Sequence, residues 1–315
     1  MKIIKCLKSF RIKKKTCLSI GIFDGVHIGH QNILKELLKI SKKENLKSVV
    51  ITFKNLPERK ILNQKKIYLI KGLNQRINLL KQFGFDYLII FDLNKISKIK
   101  PEDFINKILV KKLNMKLIVT GRDFKFGLNA KGDVGLLNKY SLKYGYRVRV
   151  VKDIKLFGKR ISSTLIRKYL EKGKIEKVRK MLGREYKIEG VVVHGKHIGF
   201  KYPTANLRIE NENIPATGVW AVMVEYAGKR YFGAANIGFA PTLKKEKKKQ
   251  IEIHIFNFYK NIYGKILKVT FLKKIRNERK FKSIKSLTRQ VKNDINAIKK
   301  FLKRRGFDEP ERSGR

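Results

Sequence analysis

Cysteine is almost missing from this 315-residue chain: Cys6 and Cys17 are the only two. So few thiols exclude a disulfide-built scaffold and a cysteine-rich zinc module, and they suit a reducing cytoplasm. Histidine is scarce too, with five in all, at positions 27, 30, 194, 197 and 254. No apolar run approaches the roughly 20 residues needed to span a bilayer, so no membrane association is expected. The opening stretch, MKIIKCLKSFRIKKKTC, is basic but lacks the apolar segment of a secretory signal. A basic lead-in to a first strand is expected there, with an acid-free transit peptide as the alternative.

Acidic residues are the largest deficit, 25 against 76 Lys and Arg, for a formal net charge of +51. Such a balance fits nucleic-acid binding, in which cations neutralise phosphates. It fits equally a compositional origin, since Lys, Ile and Asn, all abundant here, share AT-rich codons. The basic clusters at Lys13–Lys15, Lys244–Lys249 and Lys299–Arg305 are not interleaved with aromatics as a base-stacking platform would be. Any nucleic-acid contact is therefore expected to be non-specific. The same charge raises the encounter rate with small anionic substrates.

What is present is enough apolar sequence, 43%, to bury at least one large core, and the length favours two domains. In the first half, β-rich runs at 18–23, 48–53, 86–91, 116–120 and 146–151 alternate with helical patterns at 30–44, 74–83 and 101–112. In 30–44 the apolar face is Ile33, Leu37, Leu38 and Ile40. Alternation of this kind predicts a parallel, Rossmann-like α/β sheet with ligands beyond the C-terminal ends of its strands. From about 185 the texture becomes a series of short strands, which predicts a closed or nearly closed antiparallel β-barrel. A helix follows over 283–304, with Ile284, Leu287, Val291, Ile295, Ile298 and Leu302 as its stripe. The expected organisation is a first domain at 1–184, a second at 185–305, and a disordered tail at 306–315. The sequence sets no oligomeric state.

The segment SIGIFDGVHIGHQNIL (19–34) carries two histidines three apart among glycines. Zinc binding would need further ligands, and the other histidines lie far off in sequence. Core packing is a weak account of a stretch with glycines at 21, 25 and 29. A phosphate cradle fits better: glycines let the backbone approach, a helix start offers N–H groups, and the histidines donate from the side. There is no Gly-x4-Gly-Lys-Ser/Thr, and GVVVHGKH (190–197) lacks the hydroxyl that would hold a metal ion.

Three stretches together resemble one family. Gly21-x-Phe23-Asp24-Gly25-Val-His27-x-Gly29-His30 is similar to the HxGH signature of nucleotidylyltransferases. GRDFKFG (121–127) and RISSTLIR (160–167) are similar to two further motifs of the bacterial bifunctional riboflavin kinase/FAD synthetases. In the second half YPTANL (202–207), NIGFAPT (236–242), IEIHIF (251–256) and RNERKF (276–281) resemble the kinase half of that family. The resemblance spans roughly residues 18–300.

The resemblance implies two activities. ATP would phosphorylate riboflavin to FMN in the C-terminal domain, and ATP would adenylylate FMN to FAD in the N-terminal one, both with Mg²⁺. It implies that His27 and His30 serve adenylyl transfer. Gly21, Phe23, Asp24, Gly25, Gly29, Arg160, Ser163, Thr164 and Arg167 would hold ATP, with Asp123 toward the flavin. In the kinase it implies Glu252 as general base, Thr204 and Asn206 as Mg²⁺ ligands, and Arg276 and Phe281 near the flavin. Two departures stand out. The family's T-F-E-P-H-P is here Thr52-Phe53-Lys54-Asn55-Leu56-Pro57, which opens the alternative of a kinase with an impaired adenylyltransferase. Lys201 stands where a glycine is common, and the segment from Gly195 to Pro203 is about two residues short.

Overall fold

A computed structural model describes residues 1–5, 10–55, 68–195, 202–209, 213–239 and 249–307. The chain forms two compact units, one of residues 1–67 with 71–163 and one of residues 68–70 with 164–315.

The first unit runs β1 (Lys2–Ile4), β2 (Thr16–Ile20), α1 (Ile28–Lys43), β3 (Lys47–Phe53), α2 (Leu73–Lys81) and β4 (Tyr87–Phe91). Then come α3 (Leu93–Ile96), α4 (Pro101–Asp103) running on as a π-helical stretch Phe104–Val110, β5 (Met115–Gly121), α5 (Val134–Tyr144), β6 (Arg147–Val151) and a short hairpin, β7 (Lys155–Leu156) with β8 (Lys159–Arg160). The main sheet has the order β1-β4-β3-β2-β5-β6, and every pairing in it is parallel. Successive residues feed opposite faces, as a doubly covered parallel sheet requires. Val49 and Ile51 join Phe104, Leu109 and Leu137 on one side, while Val50 joins Leu34, Leu37 and Leu80 on the other.

Chain order reverses beside β2, since β3 and β4 build one way from it and β5 and β6 the other. A crevice opens beyond the strands at such a point. The loops after β2 and β5 therefore meet where ligands of this fold class bind.

Local details differ from the sequence expectation. The strand expected over 18–23 is Thr16–Ile20, because the chain leaves the sheet at Gly21 and Phe23 is left-handed, φ 51°. The expected helix face in 30–44 omits Leu34, which is fully buried, while Ile33, Leu38 and Ile40 are only partly covered.

The second unit begins in α6 (Ser163–Glu171) and α7 (Ile175–Leu182), then forms β9 (Lys187–Val193), β10 (Ala205–Arg208), β11 (Gly218–Tyr226), β12 (Lys229–Phe239), β13 (Lys249–Ile255), β14 (Ile266–Arg276) and α8 (Ile284–Arg304). The change of texture at 182–186 marks where strands take over, and the helical pair before it is part of this unit. The six strands close a barrel in the order β10-β13-β12-β11-β14-β9, antiparallel throughout. Ile251, Ile253 and Ile255 of β13 are buried, so Glu252 and His254 between them face outward.

The outer wall beside them is covered by α8, whose Ile298 and Leu302 pack on Phe232 and Phe256. Only the C-terminal half of the expected α8 stripe is buried; Ile284 is 74% exposed. Of the tail expected over 306–315, Gly306 and Phe307 are among the described residues and are ordered against the helix. Gly306 closes the helix, and the Phe307 N–H bonds Leu302 O with its ring 5.4 Å from Phe232; residues 308–315 lie outside the described residues. No helix among the described residues is long and apolar enough to cross a membrane.

Candidate active sites

The loop from Gly21 to His27 turns tightly at the end of β2. Phe23 and Val26, at φ 51° and 40°, both lie in the left-handed region, which is costly for a β-branched residue. Buried groups hold the turn from below. Arg76 of α2, fully buried, donates from Nη1 to Ile22 O (2.5 Å) and to Thr52 Oγ1 (3.3 Å), and from Nη2 to Phe53 O (2.9 Å). It ties the outgoing ends of β2 and β3 together. Burial pulls its pKa below the usual guanidinium range, and the field of Asp24 opposes that. Asp24 is itself buried and accepts from the Lys71 N–H at 3.2 Å. The Ser163 hydroxyl donates to Asp24 O at 3.0 Å.

His27 is the N-cap of α1: its Nδ1 accepts from the His30 N–H at 3.3 Å. The two imidazoles stack at 3.6 Å, and Phe23 meets His30 edge-on at 5.3 Å. A Cβ at residue 29 would press on the His27 ring at 3.1 Å, so glycine there is a packing requirement. His30 Nδ1 is buried without a hydrogen-bond partner among the described residues. Burial first, then His27 and Arg76, drive the His30 pKa well below the usual imidazole value, so the ring is neutral.

These groups line a cleft of about 230 Å³ together with Gly21, Gly29, Asp123, Asp153, Arg160 and Ser163. At its mouth Arg160 bridges two carboxylates, bonding Asp123 through Nη1 and Asp153 through Nε at 3.0 Å. The pairing with Asp123 raises the Arg160 pKa. The cleft thus combines a helix N-terminus, two imidazoles, a glycine-lined wall and a guanidinium, a donor set suited to a polyphosphate. Just past β3, Lys54 and Asn55 both engage Asp92, at 3.0 and 3.1 Å, and Asn55 Oδ1 accepts the Leu93 N–H. Leu56 and Pro57 lie outside the described residues.

In the barrel, strand register lines up a second set. Glu252 pairs with Asn206 on one side and Asn236 on the other, and beyond them the row runs through Val219 to Arg276. Directly opposed residues share a face, so one half-buried carboxylate stands between two amides on the outer wall. No hydrogen bond or ion pair joins Glu252 to a lysine among the described residues. Gly195 packs against the Asn206 side chain so closely that a Cβ there would overlap the amide nitrogen. His254, the next outward residue of β13, meets Pro203 O through Nδ1 at 3.0 Å. Arg276 is anchored elsewhere: it makes a two-pronged pair with the buried Asp294 of α8 at 2.9–3.0 Å, with Phe281 stacked 5.6 Å away.

Comparison with known proteins decides the affiliation. A family model described as FAD synthetase matches residues 9–165, and one described as riboflavin kinase matches 182–302. A bifunctional riboflavin kinase/FMN adenylyltransferase of Buchnera aphidicola subsp. Schizaphis graminum is 38% identical over 310 residues, 96% of this chain and 99% of that one. The chain belongs to the bifunctional riboflavin kinase/FMN adenylyltransferase family. The Escherichia coli K12 member is 34% identical over 290 residues, 90% of this chain and 92% of its own. A crystal structure from Streptococcus pneumoniae, named a macrolide-efflux protein, superposes with a TM-score of 0.83 at 30% identity, covering 95% of this chain and 98% of that one.

Among the family motifs, the structure gathers Gly21, Phe23, His27, Gly29, His30, Asp123, Arg160 and Ser163 around one cleft. Asp24 and Gly25 are buried behind it rather than lining it. Thr164 and Arg167 belong to the second unit, where the Arg167 guanidinium reaches the Thr164 hydroxyl at 3.5 Å. Asn206 and Glu252 share a register pair, while Thr204 precedes β10 and is exposed. Sequence reasoning missed Arg76, Asp153, Asn236, His254 and Asp294. Asp153 had a visible signal, a rare acid just past a predicted strand; the buried Arg76 had none.

Proposed function

We infer that the chain phosphorylates riboflavin to FMN in its barrel unit and adenylylates FMN to FAD in its parallel-sheet unit, with ATP as donor in both. The register row that sets Glu252 between Asn206 and Asn236 is the observation that carries the kinase assignment. The riboflavin 5′-hydroxyl is neutral and must lose a proton as its oxygen attacks the γ-phosphorus of ATP and ADP departs. Glu252, half-buried and without a lysine partner among the described residues, is the group proposed to take that proton. Thr204 and Asn206 offer neutral oxygens, a donor set that fits Mg²⁺ arriving with ATP phosphates to supply most of its ligands. Bound there, Mg²⁺ would neutralise phosphate charge.

For adenylyl transfer an FMN phosphate oxygen attacks the α-phosphorus of ATP and pyrophosphate leaves. The attacking oxygen is already anionic, so no base is needed, and positioning with charge neutralisation carries the reaction. His27, His30, Arg160 and the Ser163 hydroxyl are proposed to hold the phosphates, and Asp123 to face the flavin. Arg276 and Phe281 are proposed to border the riboflavin, held by Asp294. The domains proposed are 1–184 and 185–305. Two cysteines, Cys17 of them fully buried, fit a cytoplasmic enzyme.

The test incubates purified protein with riboflavin, ATP and Mg²⁺ and separates FMN from FAD by chromatography. Glu252→Gln should cut FMN formation by about 10²–10⁴ while sparing FAD formation from supplied FMN. His30→Ala should do the reverse. Loss of both activities from either single change, with the fold intact, would sink the two-site assignment.

A further inference from the structure

Beside Glu252 the β10–β13 ladder stops at the pair Ala205 and Ile253. Continuing it toward the N-terminus would require a donor from residue 203, and Pro203 has no N–H. The ladder therefore fastens the segment carrying Thr204 at its Asn206 end. The His254 ring adds a second fastening, at Pro203. Pro203 O can only accept, so His254 Nδ1 carries the proton and donates across 3.0 Å.

The ring is itself fixed, edge-on to Tyr202 at 5.3 Å and to Phe256 at 5.6 Å. Along β13, Glu252 and His254 are consecutive outward residues, so one strand presents both the carboxylate and the clamp on the facing segment. Gly195 closes against Asn206 from the other side, leaving that amide little room.

We propose that His254 is a positioning residue of the kinase reaction: by holding Pro203 O it sets Thr204 and Asn206 against Glu252 for the phosphates of MgATP. This rests on the kinase reading of the barrel. His254 touches no reacting atom, so its loss acts on MgATP binding rather than on proton removal.

The experiment compares the full chain with His254→Ala and His254→Asn, the latter placing an amide N–H where Nδ1 stood. Kinase kinetics are read against MgATP and against riboflavin, MgADP binding by calorimetry, and melting temperature by circular dichroism. His254→Ala should raise the KM for MgATP and the Kd for MgADP about tenfold, with kcat and the riboflavin KM within about twofold, and His254→Asn should recover most of that loss. Unchanged MgADP affinity in His254→Ala overturns the proposal. So does a matched fall of kcat and melting temperature in both variants, which would mean that the ring only packs. Should the parent chain make no FMN, the kinase reading fails, while the calorimetric comparison still decides the role of His254.

Discussion

His30 is neutral because burial withholds from it the water that a charged ring would need. Its folded pKa lies well below 6.5 through burial, His27 and Arg76, whereas in the unfolded chain it returns to the ordinary value. Between those values the unfolded chain binds more protons, so stability falls as pH drops below about 6.5. The urea midpoint of the parallel-sheet unit, followed at pH 7.5, 6.5 and 5.5, should therefore decline, and His30→Gln should flatten the decline; an equal slope would contradict it. At this scale the sequence was legible where residue type announces chemistry. Two histidines among glycines singled out the turn that the fold sets at the cleft. Arg76 does not announce itself, because a basic residue in an amphipathic helix reads as solvated, and only the fold shows its guanidinium collecting carbonyls from two strands.

The elements were legible through their periods and mistaken at their ends. Alternation of strand and helix gave the parallel sheet, and a change to short strands gave the barrel. The apolar run LSIGIF suggested a strand through Phe23, but the chain departs at Gly21, a decision made by Arg76 and Thr52 rather than by hydrophobicity. In α8 the stripe was read correctly as helical, yet its N-terminal end is exposed and its most consequential buried residue is an acid, Asp294. That carboxylate holds Arg276 in two-pronged geometry and accepts from Gln290 at 2.7 Å. Asp294→Ala should cost about 3 kcal/mol, since it strands a mostly buried guanidinium. Thermal unfolding measures the cost. The KM for riboflavin should rise with it, because Arg276 and Phe281 lose their fixed neighbour.

Over the whole molecule, charge is the property least explained by either site. With +51 formal charges the surface attracts any small polyanion. Raising ionic strength from about 0.01 M to about 0.15 M shortens the screening length from about 30 Å to about 8 Å. The kcat/KM for ATP should fall severalfold over that range and that for uncharged riboflavin should hold nearly constant. Stopped-flow or steady-state rates at the two salt levels check this, and equal responses would mean that the charge does not steer substrate.

The closure of the barrel governs a different property, the hazard of self-association. Native β9 and β10 bond each other, so the ring presents no open edge on which another chain could add a strand. That protection depends on β10, a strand of four residues. Any refolding species in which β10 has yet to dock exposes β9 and β13 together, both rich in branched apolar residues. Strand addition to this barrel therefore belongs to the interval before the ring shuts, and the same short segment that carries Asn206 ends it.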